Sequence, residues 1–214
     1  MANQQLKIRV NTYEDTHVKD VYNKISDHFN LTRSYQWTWI TDFTNMYADT
    51  DVVYDIGCGS GRNLRSKSKW IGFDNCKEFV QQCIRQGYNA KLCDMTELPV
   101  ENESADAILS IASFHHLYTP ERRIEALQEM YRVLKYDGKI LLSVWSINQP
   151  KKTRRVFHYG DNLVPWNKYG EIYNRFYYIF QKEELEKLFE LCNFTIIDYK
   201  WDCGNEIYIL KKSY

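Results

Sequence analysis

The sequence predicts an α/β fold: a seven-stranded, mostly parallel sheet with helices on both faces and a helical lid at the N-terminus. Three observations predict it. An apolar run, Val52-Val53-Tyr54-Asp55-Ile56, breaks into alternating glycines at Gly57, Gly59 and Gly61. Glycines let a chain turn sharply and approach a ligand closely. Short apolar runs alternate with helical patterns through to Trp145, which is the mark of a parallel sheet covered by helices. Asp55, Asp74 and Asp94 stand at the ends of three of these runs.

The elements follow in order. Val18, Val21, Tyr22, Ile25 and Phe29 recur at helical spacing, and a second helical pattern covers Trp37 to Tyr47 with Ile40 and Phe43 inside it. Strands are predicted at Val52–Ile56, Trp70–Phe73, Tyr88–Cys93 and Ala105–Ile111, with a helix over Lys77–Gln86. Pro120–Leu134 reads as a helix with Thr119 as its N-cap, closed by Asp137-Gly138. Lys139–Trp145 is the next buried strand. Gln149–Arg155 is a basic loop, and Phe157–Phe180 is rich in aromatics without a clean period. Lys182–Leu191 returns to helix, and Phe194–Tyr199 with Ile207–Leu210 form a closing hairpin whose last strand is the antiparallel one. The expected organisation is a single domain, 1–214: a lid (1–48), a core (49–147), an insertion (148–180) and the closing helix and hairpin (181–214).

Composition narrows the function. Lys plus Arg and Asp plus Glu are equal at 28 each, so any surface for a polyanion has to be local. The six cysteines form no C-x-x-C pair, and no metal site is expected on this chain. The N-terminus lacks the pattern of a signal peptide and no long apolar run is present, so no membrane contact is expected. The thiols then read as reduced and the protein as cytoplasmic.

The glycine turn departs from the dinucleotide pattern G-x-G-x-x-G, because Arg62 holds the third glycine position and Gly61 comes one place early. That favours a nucleoside cofactor without a pyrophosphate. Asp74 can accept both hydroxyls of a ribose, and Asp94 can receive an adenine amino group with Met95 against the ring. The spacing resembles motif I, D-x-G-x-G-x-G, of the Rossmann-like class I S-adenosylmethionine-dependent methyltransferases.

The resemblance then sharpens. Val21-Tyr22-Asn23-Lys24-Ile25-Ser26-Asp27-His28-Phe29, Thr32-Arg33 and Trp37 resemble the N-terminal signature of the eukaryotic tRNA wobble-uridine methyltransferases. Ser110-Ile111-Ala112-Ser113-Phe114-His115-His116-Leu117 with Glu121-Arg122-Arg123 is similar to that family's fourth-strand region, and so is Val144-Trp145-Ser146 at the end of strand five. Asp161, Val164-Pro165-Trp166 and Arg175-Phe176-Tyr177-Tyr178 resemble its substrate-side insertion. The segment between Trp145 and Asp161 is short here, where family members often carry a long loop.

The resemblance implies methyl transfer from S-adenosylmethionine, leaving S-adenosylhomocysteine, to the carboxylate of 5-carboxymethyluridine in a tRNA anticodon loop. It implies a cofactor site of Tyr22, Arg33, Trp37, Asp55, Gly57, Gly59, Asp74, Asn75, Asp94, Met95, Ile111 and His116. Arg33, His116 and Arg175 are expected to act on the substrate, with Trp145, Asp161, Trp166, Tyr177 and Tyr178 around it. His115 is expected to be a packed core residue. The implied partner is a small zinc-containing activator protein, paired with the edge strand near Lys91–Cys93, beside Ile84 and Tyr88. Such a carboxylate ionises near pH 4 and is already anionic at neutrality, so no general base is needed. The site has to hold and dry the anion. Lys151, Lys152, Arg154 and Arg155 could track RNA phosphates or simply be solvated. Two other readings share the cofactor site: a methyltransferase for a small-molecule carboxylate or other metabolite, and a non-catalytic cofactor-binding subunit.

Overall fold

A computed structural model describes residues 13–32, 36–65, 68–153 and 155–213. Its centre is a seven-stranded sheet in the order β3-β2-β1-β4-β5-β9-β8. These strands are β1 (Val53–Ile56), β2 (Trp70–Asp74), β3 (Asn89–Leu92), β4 (Ala105–Ile111), β5 (Leu134–Trp145), β8 (Phe194–Asp202) and β9 (Asn205–Lys212). β9 runs antiparallel to both its neighbours, whereas the pairs among β1 to β5 are parallel. The closing hairpin inserts its last strand between β5 and β8, and that strand is the antiparallel one the sequence leads one to expect.

Central strands are apolar because both faces are covered. One face carries α2 (Thr38–Thr44) and α3 (Lys77–Arg85), packing Ile40, Phe43, Val80 and Cys83 on Val53, Leu109 and Leu141. The other carries α4 (Pro120–Val133) and α5 (Lys182–Leu191), packing Leu127, Met130, Leu185 and Phe189 on Ile108, Ile140 and Tyr208. α1 (Asp20–Leu31) continues a π-helical turn (Asp15–Lys19) and lies over the carboxyl end of β2. There Val21, Tyr22 and Ile25 meet Cys76, Phe79 and Phe176.

Two elements differ from the sequence expectation. The aromatic stretch after Phe157 contains a separate hairpin, β6 (Gly160–Lys168) with β7 (Glu171–Ile179), in continuous antiparallel register. Asp137-Gly138 does not close α4 but lies inside β5. The helix ends earlier because Leu134 turns extended (ψ 133°) and pairs with Ala105 across a bulge. The chain passes closely at Gly138: an added Cβ would lie 2.5 Å from Leu134 Cδ1 and 3.0 Å from Asp106 O.

Candidate active site

A pocket opens at the carboxyl ends of β1, β2, β4 and β5, with α1 along one side. Its floor is the glycine turn. Gly57 (φ 77°) and Gly59 (φ 53°) lie in the left-handed region, where other residues are strained. Gly57 N and Cys58 N both donate to Phe73 O, at 2.7 and 3.1 Å, which binds the turn to β2. A Cβ on Gly57 would fall 2.2 Å from Ser113 Cβ, so the turn and the end of β4 touch only because this residue is glycine.

Asp74 ties the turn to the start of α3. Its Oδ2 accepts from Gly59 N and its Oδ1 from Cys76 N, each at 2.8 Å. Each carboxylate oxygen has room for another donor, and the side chain lines the pocket together with Asn75. Burial pushes the Asp74 carboxyl up to about 6.

Asp55 stands behind the turn, 1% exposed and outside the pocket wall. Its Oδ2 accepts from Asn63 Nδ2 at 3.3 Å, and Asn63 Oδ1 accepts from Gln36 Nε2 at 3.2 Å. Its Oδ1 has no partner among the described residues. Burial pushes this carboxyl up to about 7. Gln36, Trp37, Arg62 and Asn63 line this end of the pocket. Gln36, Arg62 and Asn63 escaped the sequence reading, although Asn63 lies only two residues beyond the glycines.

At the opposite end Asp94 and Met95 line the wall. Asp94 Oδ1 accepts from Thr96 N and Thr96 Oγ1, and Oδ2 from Arg122 Nη2 at 2.6 Å. Burial works to raise this carboxyl, but Arg122 and Thr96 outweigh it and hold it below the usual range. Arg122 Nε reaches Glu14 at 2.9 Å, and Glu14 also accepts from Tyr118 N at 2.7 Å. This triad, of which Glu14 is buried and Arg122 and Asp94 are partly buried, pins the start of the N-terminal helical segment to the core. Nothing in the local spacing of Glu14 and Arg122 announces it, since they are 108 residues apart.

The third wall is aromatic. Trp145 and Tyr177 stack with ring centroids 4.2 Å apart and planes 16° apart. His115 is fully buried and accepts from Trp145 N at 3.0 Å, fixing the backbone of that wall. His116 Nδ1 lies 2.6 Å from Phe176 O. A carbonyl only accepts, so Nδ1 carries the proton and Nε2 accepts from Tyr22 Oη at 3.0 Å. Tyr22 Oη then accepts from Tyr177 Oη at 3.0 Å, and Tyr177 Oη from Arg175 Nη1 at 2.8 Å. Burial pushes the His116 imidazole down to about 3, and Arg175 adds to that. His116 is a neutral ring with both nitrogens engaged.

Arg175 ends the chain of hydrogen bonds. It is 1% exposed, lies behind Tyr22 and Tyr177 rather than in the pocket wall, and sits 4.8 Å from the Trp166 ring centroid. Its Nε has no partner, and no carboxylate pairs with it, among the described residues.

The structure brings Tyr22, Trp37, Gly57, Gly59, Asp74, Asn75, Asp94, Met95, Ile111, His116, Trp145 and Tyr177 into one pocket wall. It places Asp161, Trp166 and Tyr178 elsewhere. Tyr178 packs on Arg123, whose guanidinium is 3.4 Å from its ring centroid, and donates to Glu184. Trp166 Nε1 donates to His28 Nδ1 at 3.1 Å beneath α1. Asp161 is exposed, opposite Tyr178 on β6. Strand alternation explains the placing of Tyr178 and Asp161, because Tyr177 and Tyr178 project from opposite faces of β7, whereas Trp166 shares the face of Tyr177 but lies farther along the hairpin. Arg33 lies outside the described residues. Ala112, strained at φ 52° on the pocket wall, carries no sequence signal.

Comparisons with known proteins agree with this geometry. Residues 54–142 match the family model described as a methyltransferase domain. The tRNA (carboxymethyluridine(34)-5-O)-methyltransferase of Schizosaccharomyces pombe is 32% identical, over 94% of this chain and 98% of that protein. The enzyme of the same name, ALKBH8, from Mus musculus is 40% identical over 66% of this chain and 22% of that protein. Its Xenopus tropicalis counterpart is 30% identical over 96% and 42%. The chain thus spans less than half the length of the first relatives it matches. Among solved structures, an S-adenosylmethionine-dependent methyltransferase from Methanosarcina mazei superposes with a TM-score of 0.64 at 21% identity, over 80% of this chain and 97% of that one. A putative methyltransferase from Haloferax volcanii, solved in complex with the Trm112 methyltransferase activator, gives 0.65 at 15% identity, over 92% and 98%. At these identities the two structures show the fold, that of class I methyltransferases.

Proposed function

The chain belongs to the family of tRNA carboxymethyluridine methyltransferases, and from that membership and the geometry of the pocket we propose that it methylates the carboxylate of 5-carboxymethyluridine at the wobble position of a tRNA anticodon. The observation that carries this reading is the unpaired guanidinium of Arg175 behind the aromatic wall. A buried charge without a counter-ion costs several kcal/mol, and an anionic substrate group at the wall would offset that cost.

The residues present fit S-adenosylmethionine. Nothing among the described residues lies within 4 Å of where a Cβ on Gly59 would stand, so the turn leaves open space beside Asp74. Asp74 would take the ribose hydroxyls, and the orphaned Oδ1 of Asp55 is an acceptor suited to a cationic amino group. When bound, the cofactor supplies an electrophilic methyl on a positively charged sulfur. The protein's own work is to hold the substrate carboxylate in line and dry. Trp145 and Tyr177 offer a rigid apolar surface for a base removed from its stack. His116, neutral and saturated, supplies shape rather than a proton. Arg175 makes the local field positive through Tyr177 and Tyr22.

The edge of the sheet supports a partner. Among the described residues β3 has no neighbour on one side, and Leu92 on it and Ile84 beside it are 54% and 57% exposed. An open, apolar edge invites strand addition. This favours a small zinc-containing activator protein docked there. No helix among the described residues is long and apolar enough to cross a membrane.

The test is mass spectrometry of nucleosides after incubating a carboxymethyluridine-containing anticodon stem-loop with the protein and S-adenosylmethionine, with and without activator. The expected product is the methyl ester. Methylation of free small carboxylates with none of the RNA would establish the small-molecule reading instead.

A further inference from the structure

The β6–β7 hairpin turns on a strained aromatic residue. Lys168 pairs with Glu171, so Tyr169 and Gly170 alone make the turn, at φ 52° and 97°. A hairpin turn with both central φ values positive favours asparagine, aspartate or glycine at its first place. A bulky side chain there is strained. Burial does not repay that strain, because Tyr169 is 77% exposed. Strain that the fold does not repay is a sign of function.

Bonds on both sides hold the tip. Gly170 N donates to Asn167 Oδ1 at 2.8 Å. Lys168 Nζ donates to Lys24 O on α1 and to Asp27 Oδ1, the latter at 2.7 Å. The Tyr169 ring meets His28 with centroids 4.9 Å apart, and His28 meets Trp166 at 5.6 Å. Trp166 meets Phe29 at 5.4 Å, and Phe29 lines the pocket. Three ring contacts therefore lead from the exposed tip to the pocket wall, through the last turn of α1.

The groups around the ring suit a nucleotide. An exposed aromatic face can stack on any base. Trp166 Nε1 donates to His28 Nδ1, so His28 Nε2 carries the ring proton and is a donor beside Tyr169. Lys24 stands one helical turn before His28 on the same face of α1. It is exposed and pairs with no carboxylate among the described residues. An ammonium so placed can meet a phosphate next to the stacked base.

On the reading that the substrate is an RNA anticodon loop, we propose that Tyr169 stacks on a nucleotide of that RNA other than the target, with Lys24 on its phosphate. The pocket takes one base, and the hairpin tip holds the strand that carries it.

Fluorescence anisotropy with a labelled anticodon stem-loop, in the presence of S-adenosylhomocysteine and across a salt series, tests this. The proteins are the parent, Tyr169→Asn, Tyr169→Trp, Lys24→Ala and Lys187→Ala, the last an exposed charge on α5. Asparagine suits the turn and removes the ring, so Tyr169→Asn should melt at or above the parental temperature. It should nevertheless weaken binding roughly tenfold, equally for loops carrying uridine or carboxymethyluridine, with the slope of log K against log salt unchanged. Tyr169→Trp should bind at least as tightly as the parent. Lys24→Ala should lower the slope by about 0.7, and Lys187→Ala should change neither slope nor affinity. Parental affinity in Tyr169→Asn would overturn the proposal and leave the RNA reading standing, and so would a parental slope in Lys24→Ala. A lower melting temperature in Tyr169→Asn would make the ring part of the fold and overturn it too. A parent that sediments as a dimer beside a monomeric Tyr169→Asn would assign the tip to a second copy of the chain instead. If the parent itself binds neither loop, the RNA reading falls, and this proposal with it.

Discussion

Three carboxylates at successive strand ends have three different tasks. Asp74 retains acceptor capacity and faces the pocket, so Asp74→Ala should weaken S-adenosylhomocysteine binding by roughly tenfold or more, the loss of a charge-assisted contact. Calorimetry showing parental affinity would contradict this. Asp94 is committed to Arg122 and Thr96. Asp55 is buried with an orphan oxygen and a carboxyl raised to about 7. A raised acid stabilises the fold below its unfolded value, near 4, and that contribution is lost as pH rises through 7. Asp55→Asn should therefore flatten the fall in the melting temperature of the unliganded protein between about pH 4 and 7. A steeper fall in the variant would count against burial as the cause. His116 makes the opposite kind of prediction. Held neutral down to about 3, it should give no ionisation in the single-turnover rate between about pH 5.5 and 8, and a rise centred near 6.5 would restore it as a base. The residue types were legible in the sequence because strand ends and glycines are local. Their partners were not. Glu14 with Arg122, and Tyr22 with His116 and Tyr177, meet only through the fold.

At the scale of elements, the chain reads well where burial imposes a period. The parallel strands, α3, α4 and the closing hairpin stand within a few residues of expectation because one or both faces are covered. β6 and β7 were hidden because aromatic residues occupy both faces of the hairpin. Phe176 and Tyr178 lie on the opposite face of β7 from Arg175 and Tyr177, of which Tyr177 lines the pocket and Arg175 stands behind it. The same alternation separates Asp161 and Tyr178 from Tyr177, whereas Trp166 shares the face of Tyr177 and lies farther along the hairpin, beneath α1. Asp137-Gly138 misled for a related reason, since a glycine chosen for close approach to Leu134 looks like a helix stop. The exposed edge is testable at this scale. Ile84→Asp together with Leu92→Asp should abolish capture of a zinc-containing activator while leaving cofactor affinity within twofold. Undiminished capture would move the partner to another surface.

The whole molecule divides its chemistry by distance from the sheet. The glycine turn, Asp55 and Asp74 belong to the sheet and, in the proposed function, are the groups that would hold the cofactor. α1, the β6–β7 hairpin and the Trp145 wall enclose the other side, and one buried hydrogen-bond chain from Arg175 through Tyr177 and Tyr22 to His116 fastens them together. Such a pocket supplies position, dryness and positive potential, which are what an anion meeting a sulfonium requires. The most direct measurement is single-turnover methylation of a carboxymethyluridine anticodon stem-loop by the parent and by Arg175→Met, with folding checked by thermal melts and cofactor affinity by calorimetry. The account predicts that the parent forms the methyl ester and that Arg175→Met is roughly ten- to a hundredfold slower with cofactor affinity unchanged. Methylation by Arg175→Met at the parental rate would contradict it.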